Sequence, residues 1–127
     1  MKNYRRYFVL FSAVFFLISQ ISCISADADQ NNTKQSAVKN NLITRAKQTT
    51  LKYNLSKLTI TCLNFEVVDE KYEGKPLVDV HEIHDKKCGG DPQTSPRLFS
   101  VAFDDRTGEI WSDAKSLVSQ MEIIGKE

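Results

Sequence analysis

Cys62 and Cys88 constrain this chain more than any other feature, because their chemistry depends on where the chain goes. In an oxidising compartment they pair and close a loop; in the cytosol they stay thiols and read as metal ligands or nucleophiles. The N-terminus decides between these. "MKNYRRYFVLFSAVFFLISQISCISADAD" opens with Lys2, Arg5 and Arg6, runs apolar from Tyr7 to Ile21, and closes on Ala26-Asp27-Ala28. A basic start, an apolar run and an A-x-A close make a secretory signal peptide. The apolar run is shorter than the roughly 20 residues a membrane-spanning helix needs. We therefore expect residues 1–28 to direct export and be cleaved. Lipid attachment at Cys23, after "SQIS", is a second processing route, and retention as an N-terminal anchor is a third.

Cleavage after Ala28 leaves 99 of the 127 residues, without three of the 17 Lys and Arg and one of the 16 Asp and Glu. The formal net charge is then −1, which offers nothing to nucleic acid or to an anionic membrane surface. A single core of that size is small, and such domains often need a covalent staple. The Cys62–Cys88 disulfide supplies one. In the chain-entropy account a loop of that length is worth roughly 3–4 kcal/mol, a large share of the roughly 5–10 kcal/mol expected in total.

Within the exported part, "DQNNTKQSA" is polar and reads as a flexible leader over residues 29–36. A single α+β domain is expected over 37–127. Val38, Leu42, Ala46, Thr49 and Tyr53 recur at helical spacing, with Lys39, Asn40, Arg45, Lys47 and Lys52 opposite. "KLTITCLNFEVVDE" is rich in strand-forming residues, and its alternation slips at Cys62-Leu63, which predicts a β-bulge or a strand buried on both faces. "KYEGKP" is a turn before a second strand, "LVDVHEIHD". After a long loop, "RLFSVAFDD" and "IWS" make a third and fourth strand around "DDRTGE", where Gly108 suits the left-handed position. Ser112 or Asp113 then caps a helix with the stripe Ala114, Leu117, Val118, Met121 and Ile124. The expected fold is thus α+β: an N-terminal helix, a four-stranded antiparallel meander sheet, a C-terminal helix and one disulfide.

The stretch "LFSVAFDDRTGEIWSD" resembles the closing hairpin of PepSY-like domains, in which a strand ends in an acidic D-x-x-T-G-E turn followed by apolar residues. Asp104, Thr107, Gly108, Glu109 and Ile110 match that turn, and Trp111 falls in the apolar stretch within Phe99–Trp111. The resemblance implies a small helix-plus-sheet module of an exported protein that binds or inhibits a protease or another envelope partner. The disulfide and the Gly-Gly-Asp-Pro loop lie outside that pattern.

The segment "HEIHDKKCGGDPQTSPR", His81 to Arg97, holds most of the chemistry-bearing residues. Strand alternation sends His81 and His84 to opposite faces, which argues against a shared metal. A disulfide at Cys88 removes the thiolate that a His84-assisted nucleophile would need. "CGGDP" lacks the following helix of a phosphate loop, and Pro92 and Pro96 remove two N–H donors. Asp104 and Asp105 are expected to be solvated or to cap their turn. No catalytic residue, metal or cofactor is expected.

What the loop does offer is a backbone pinned by glycines, prolines and the staple. Asp91, Arg97 and an accessible His84 are the candidate contacts for a partner, Asp91 and Arg97 because they give directional polar bonds. The reading is a periplasmic or secreted module of a bacterial envelope that binds another protein, with inhibition of a protease or wall hydrolase, or an accessory role, as its action. It carries no membrane insertion after cleavage. The alternatives are a secreted host-directed virulence factor and a thiol- or metal-dependent enzyme.

Overall fold

The computed structural model describes residues 27–127. The chain divides into Met1–Thr33 and Lys34–Glu127, and the fold below is that of the second unit. The apolar run, Cys23 and the cleavage motif up to Ala26 lie outside the described residues.

The elements are helix α1 (Asp27–Lys52), a 3-10 turn (Ile60–Cys62), and five strands: β1 (Leu63–Tyr72), β2 (Lys75–Glu82), β3 (Arg97–Phe103), β4 (Glu109–Ser112) and β5 (Glu122–Lys126). The strands form one sheet in the order β1-β2-β3-β4-β5, antiparallel at every step. The architecture is therefore α+β with one disulfide, as expected, and differs in its details.

Helix α1 packs on one face of the sheet. Leu42, Ala46 and Leu55 meet Leu63, Phe65, Val78, Val80, Phe99, Val101, Phe103 and Ile110 in a single core. Arg45 reinforces the contact: its guanidinium lies 4.3 Å from the centre of the Phe103 ring and bonds Glu127 and Asp105. The helix is longer than its apolar stripe. Residues 29–36, expected as a flexible leader, are helical, and positions 31–41 are all exposed, including Val38 of the expected stripe.

The tight turns follow local rules. Glu73 and Gly74 both take positive φ between the paired Tyr72 and Lys75, the geometry that matches the twist of a two-residue hairpin. Between β3 and β4, Asp104 accepts N–H bonds from Arg106 and Thr107, and Gly108 takes φ +71 as expected.

Two further expectations are corrected. The segment before Leu63 is a 3-10 turn rather than a bulged strand, so the slip in alternation marks where β1 begins. The C-terminal segment is no helix: residues 113–121 are irregular, and Glu122–Lys126 is a fifth strand. The Asp113 carboxylate, expected to cap a helix, instead accepts Ser100 N–H at 2.7 Å and Arg97 Nη2–H at 2.7 Å. Ser112 Oγ donates to Ser100 O at 2.8 Å. With both capping side chains drawn onto β3, Ile123 and Ile124 supply a β-branched strand that pairs with β4 and covers its free edge.

Candidate functional site

An antiparallel meander sends alternate connections to opposite ends. The β1–β2 and β3–β4 turns lie at one end, while the β2–β3 loop (83–96), the β4–β5 segment (113–121) and the 3-10 turn lie at the other. The candidate site is this second end.

The long loop is fastened at several points. Cys62 and Cys88 are bonded, with Cα atoms 5.5 Å apart, so the expected staple is present. Ile83 N–H donates to Cys62 O and Glu82 N–H to Pro96 O, each at 2.9 Å. Asp85 and Gly89 exchange backbone bonds at 3.1 and 2.8 Å. The Asp85 carboxylate accepts N–H bonds from Cys88 at 2.7 Å and Lys87 at 2.8 Å. These donors, Cys88 first, hold its carboxyl below the usual carboxylate range.

His84 is a keystone of the loop rather than an accessible contact. Its side chain is 12% exposed, lies against the backbone of Gly90, and places Nδ1 3.0 Å from Asp91 O and 2.8 Å from Thr94 Oγ1. A carbonyl oxygen only accepts, so Nδ1 carries the proton in that bond. Nε2 sits 3.4 Å from Glu82 Oε1. His81 turns its Nδ1 to Ser95 O at 3.1 Å. Both imidazoles thus serve loop carbonyls, and no three His, Cys, Asp or Glu converge on a metal position among the described residues. Asp91 is exposed, with its carboxylate accepting Gln93 N–H at 3.0 Å.

Arg97 ends the loop and is its structural root. Its Nη2–H groups donate to Ser100 Oγ at 2.6 Å and Asp113 Oδ2 at 2.7 Å, and its Nε–H reaches Ser100 Oγ at 3.0 Å. Ser100 Oγ–H donates to Asp79. Partial burial disfavours the guanidinium charge; the Asp113 hydrogen bond and the fields of Asp113 and Asp79 outweigh it, and the net pKa is raised. Arg97 therefore ties the 83–96 loop to the start of the 113–121 segment.

Sequence reasoning missed Asp79, Ser100 and Asp113 as partners of Arg97, since only strand register brings them together. It also placed Leu117 and Val118 in a buried stripe. Both stand in solvent, Leu117 completely and Val118 at 77% exposure.

At the opposite end a cleft of about 350 Å³ lies between the two tight turns. Its charges are paired locally, Glu73 with Lys75 at 3.1 Å and Asp104 with Arg106 at 3.6 Å. Comparison with family models, curated proteins and solved structures finds no match to this chain.

Proposed function

We propose that this chain is an exported module of the cell envelope that acts by binding another protein through the loop end of its sheet, with no chemistry of its own. The observation that carries the reading is the 83–96 loop. Structureless connections of that length are uncommon in compact domains and are either functional or disordered. This one is ordered by the disulfide and by the Asp85, His84 and Asp91 hydrogen bonds. A loop already fixed in shape loses less entropy on contact. The exposed residues at its tip, among them Asp91 and Gln93, are then the polar contacts, and His84 and Arg97 hold them in place. Inhibition of a protease or wall hydrolase is the finer form of this reading, supported by the resemblance of Phe99–Trp111 to a PepSY-like hairpin. Signal cleavage near Ala28 belongs to the same proposal.

A photo-crosslinking residue at Gln93 of the exported protein tests it. A discrete protein adduct in envelope or secreted material is expected, and it should vanish when Cys62 and Cys88 are both changed to Ser. Absence of any protein adduct from Gln93 and from neighbouring exposed positions would remove the binding reading. Intact mass of the recovered protein reports the cleavage point, any lipid at Cys23 and the two-hydrogen deficit of the bridge.

A further inference from the structure

Strand β5 is the one strand among the described residues that holds no buried residue; β1 to β4 each contain at least two. Ile123 is 51% exposed, and of this strand only Ile124 packs against the margin of the core. What holds β5 is polar and specific. It pairs with β4 through Glu109↔Lys126, Ile110↔Gly125, Trp111↔Ile123 and Ser112↔Glu122, with a shift of register between Ile110 and Trp111. Arg45 grips the Glu127 carboxylate with two bonds, at 2.7 and 2.8 Å, and Glu127 N–H donates to Gly108 O at 3.0 Å. Lys126 Nζ lies 3.6 Å from Glu109 Oε1. Gly125 lies directly against the Tyr53 hydroxyl, where any Cβ would collide with it.

The segment leading into β5 can straighten at little loss. Asp113 is fixed to β3 by Arg97 and Ser100 N–H, and Ala114 packs against the core, so the movable part is 115–121. One hydroxyl folds it: Ser116 Oγ accepts Val118 N–H at 3.4 Å and Gln120 N–H at 3.0 Å. Ser119 sits at φ +55, a conformation that costs a residue with a Cβ. Leu117 and Val118 already stand in solvent, so straightening removes no burial of theirs and relieves Ser119. Fully extended, a segment of that length spans about 23 Å, enough to carry β5 off its own sheet.

We infer that β5 exchanges between two copies of this chain, each donating residues 122–127 to the β4 edge of the other. The place that β5 fills selects its occupant. A strand there must put glycine against Tyr53, an apolar side chain at the Ile124 position and a carboxylate opposite Arg45. This chain's own Glu122–Glu127 meets all three conditions, and a foreign strand would have to reproduce them. Strand exchange is a low-cost route to a dimer, because both forms contain the same β4–β5 contacts. The forms differ in hinge strain, which favours exchange. They differ also in the lost free motion of two molecules, which opposes exchange and is overcome as concentration rises. None of this depends on what the 83–96 loop binds.

The test uses the native Glu109–Lys126 ion pair as its reporter. Isotopically light and heavy chains are mixed, opened in mild denaturant with the disulfide intact, and returned to buffer at micromolar to millimolar concentration. A carbodiimide then condenses neighbouring carboxylate and amine into an amide, with loss of water. Monomer and dimer are separated by size, and the linked Glu109 and Lys126 peptides are weighed. The expected result is a dimer that grows with concentration, carrying links of mixed label, beside a monomer whose links are all of one label. Ser119→Gly removes the positive-φ penalty and should weaken the dimer; Ser119→Pro cannot adopt that φ and should strengthen it. Their dimer dissociation constants should differ by roughly tenfold or more, since each dimer holds two hinges. Ser119 is exposed, so both variants should keep the wild-type circular dichroism. A chain that stays monomeric at millimolar concentration overturns the inference. A dimer whose links all join residues of one chain also overturns it, in favour of contact between intact surfaces. Equal dimer fractions in the two Ser119 variants overturn it as well, because the hinge would then have no part in the choice.

Discussion

Gly89 and Gly90 are neighbours with nearly the same backbone, φ +83 and φ +80, yet their surroundings differ. A Cβ on Gly89 would meet open space, whereas one on Gly90 would run into the His84 ring. Gly89→Ala should therefore cost only the left-handed penalty of about 1–2 kcal/mol. Gly90→Ala adds overpacking, for a total of roughly 3 kcal/mol or more. Urea unfolding of the two variants checks this; equal losses would mean that His84 does not brace the loop. Arg97 makes a comparable residue-scale case. Its removal leaves the Asp113 side chain, 5% exposed, with a carboxylate deprived of its cation. Arg97→Ala should cost about 2–3 kcal/mol. Arg97→Lys should recover less than half of that, because an ammonium cannot reach Ser100 and Asp113 with the same planar fork. A loss below about 0.5 kcal/mol, the scale of an ordinary surface change, would show the cluster to be dispensable.

At the scale of elements, two acidic turns carry the pH response. Asp85 and Asp104 each accept backbone N–H bonds, from Cys88 and Lys87 in one case and from Arg106 and Thr107 in the other, and both carboxyls are held below their usual range. A carboxyl with a lowered folded-state pKa supports the fold above its unfolded value and loses that support as pH falls through the folded value. The melting temperature should therefore hold from neutral pH to about pH 5 and fall below about pH 4. An Asp85→Asn/Asp104→Asn protein should show a shallower fall across the same window, measured by circular dichroism melts. An unchanged acid limb would assign the acid response to other carboxylates.

For the whole molecule, the disulfide is the largest single stabiliser that can be removed by chemistry alone. With a sequence separation of 26, chain entropy assigns it about 3.5 kcal/mol. Changing both cysteines to Ser should lower the melting temperature by roughly 15 °C or more for a domain of this size. Because Cys88 sits in the 83–96 loop, amide exchange should rise first there and in the 3-10 turn at Ile60–Cys62, and least in the β2–β3 pair. Uniform acceleration across the sheet would show that the staple supports the fold globally and not the loop in particular.

Much of this architecture is written in short stretches of chain. The Leu42–Ala46 stripe, the Glu73-Gly74 turn, the Asp104–Gly108 turn and the β-branched runs of β1 to β4 each depend on preferences spanning a few residues, and all can be read without knowing the rest. The cysteine pair is legible for a different reason: if the segment holding Cys23 directs export and is removed, two of the three cysteines are left with few uses other than pairing. The last element and the loop end of the sheet are not legible in that way. Asp113 carries a good helix-cap signal, and a helix stripe follows it, but the carboxylate has a choice of partners. Ser100 N–H and Arg97 lie 13 and 16 residues away, and they come within reach only once β3 and β4 have paired in register. That tertiary competition turns the segment into a bolted loop and a fifth strand, and so leaves Leu117 and Val118 in solvent. Local preference set the pieces; the non-local hydrogen-bond partners of a few carboxylates decided how the last of them was used.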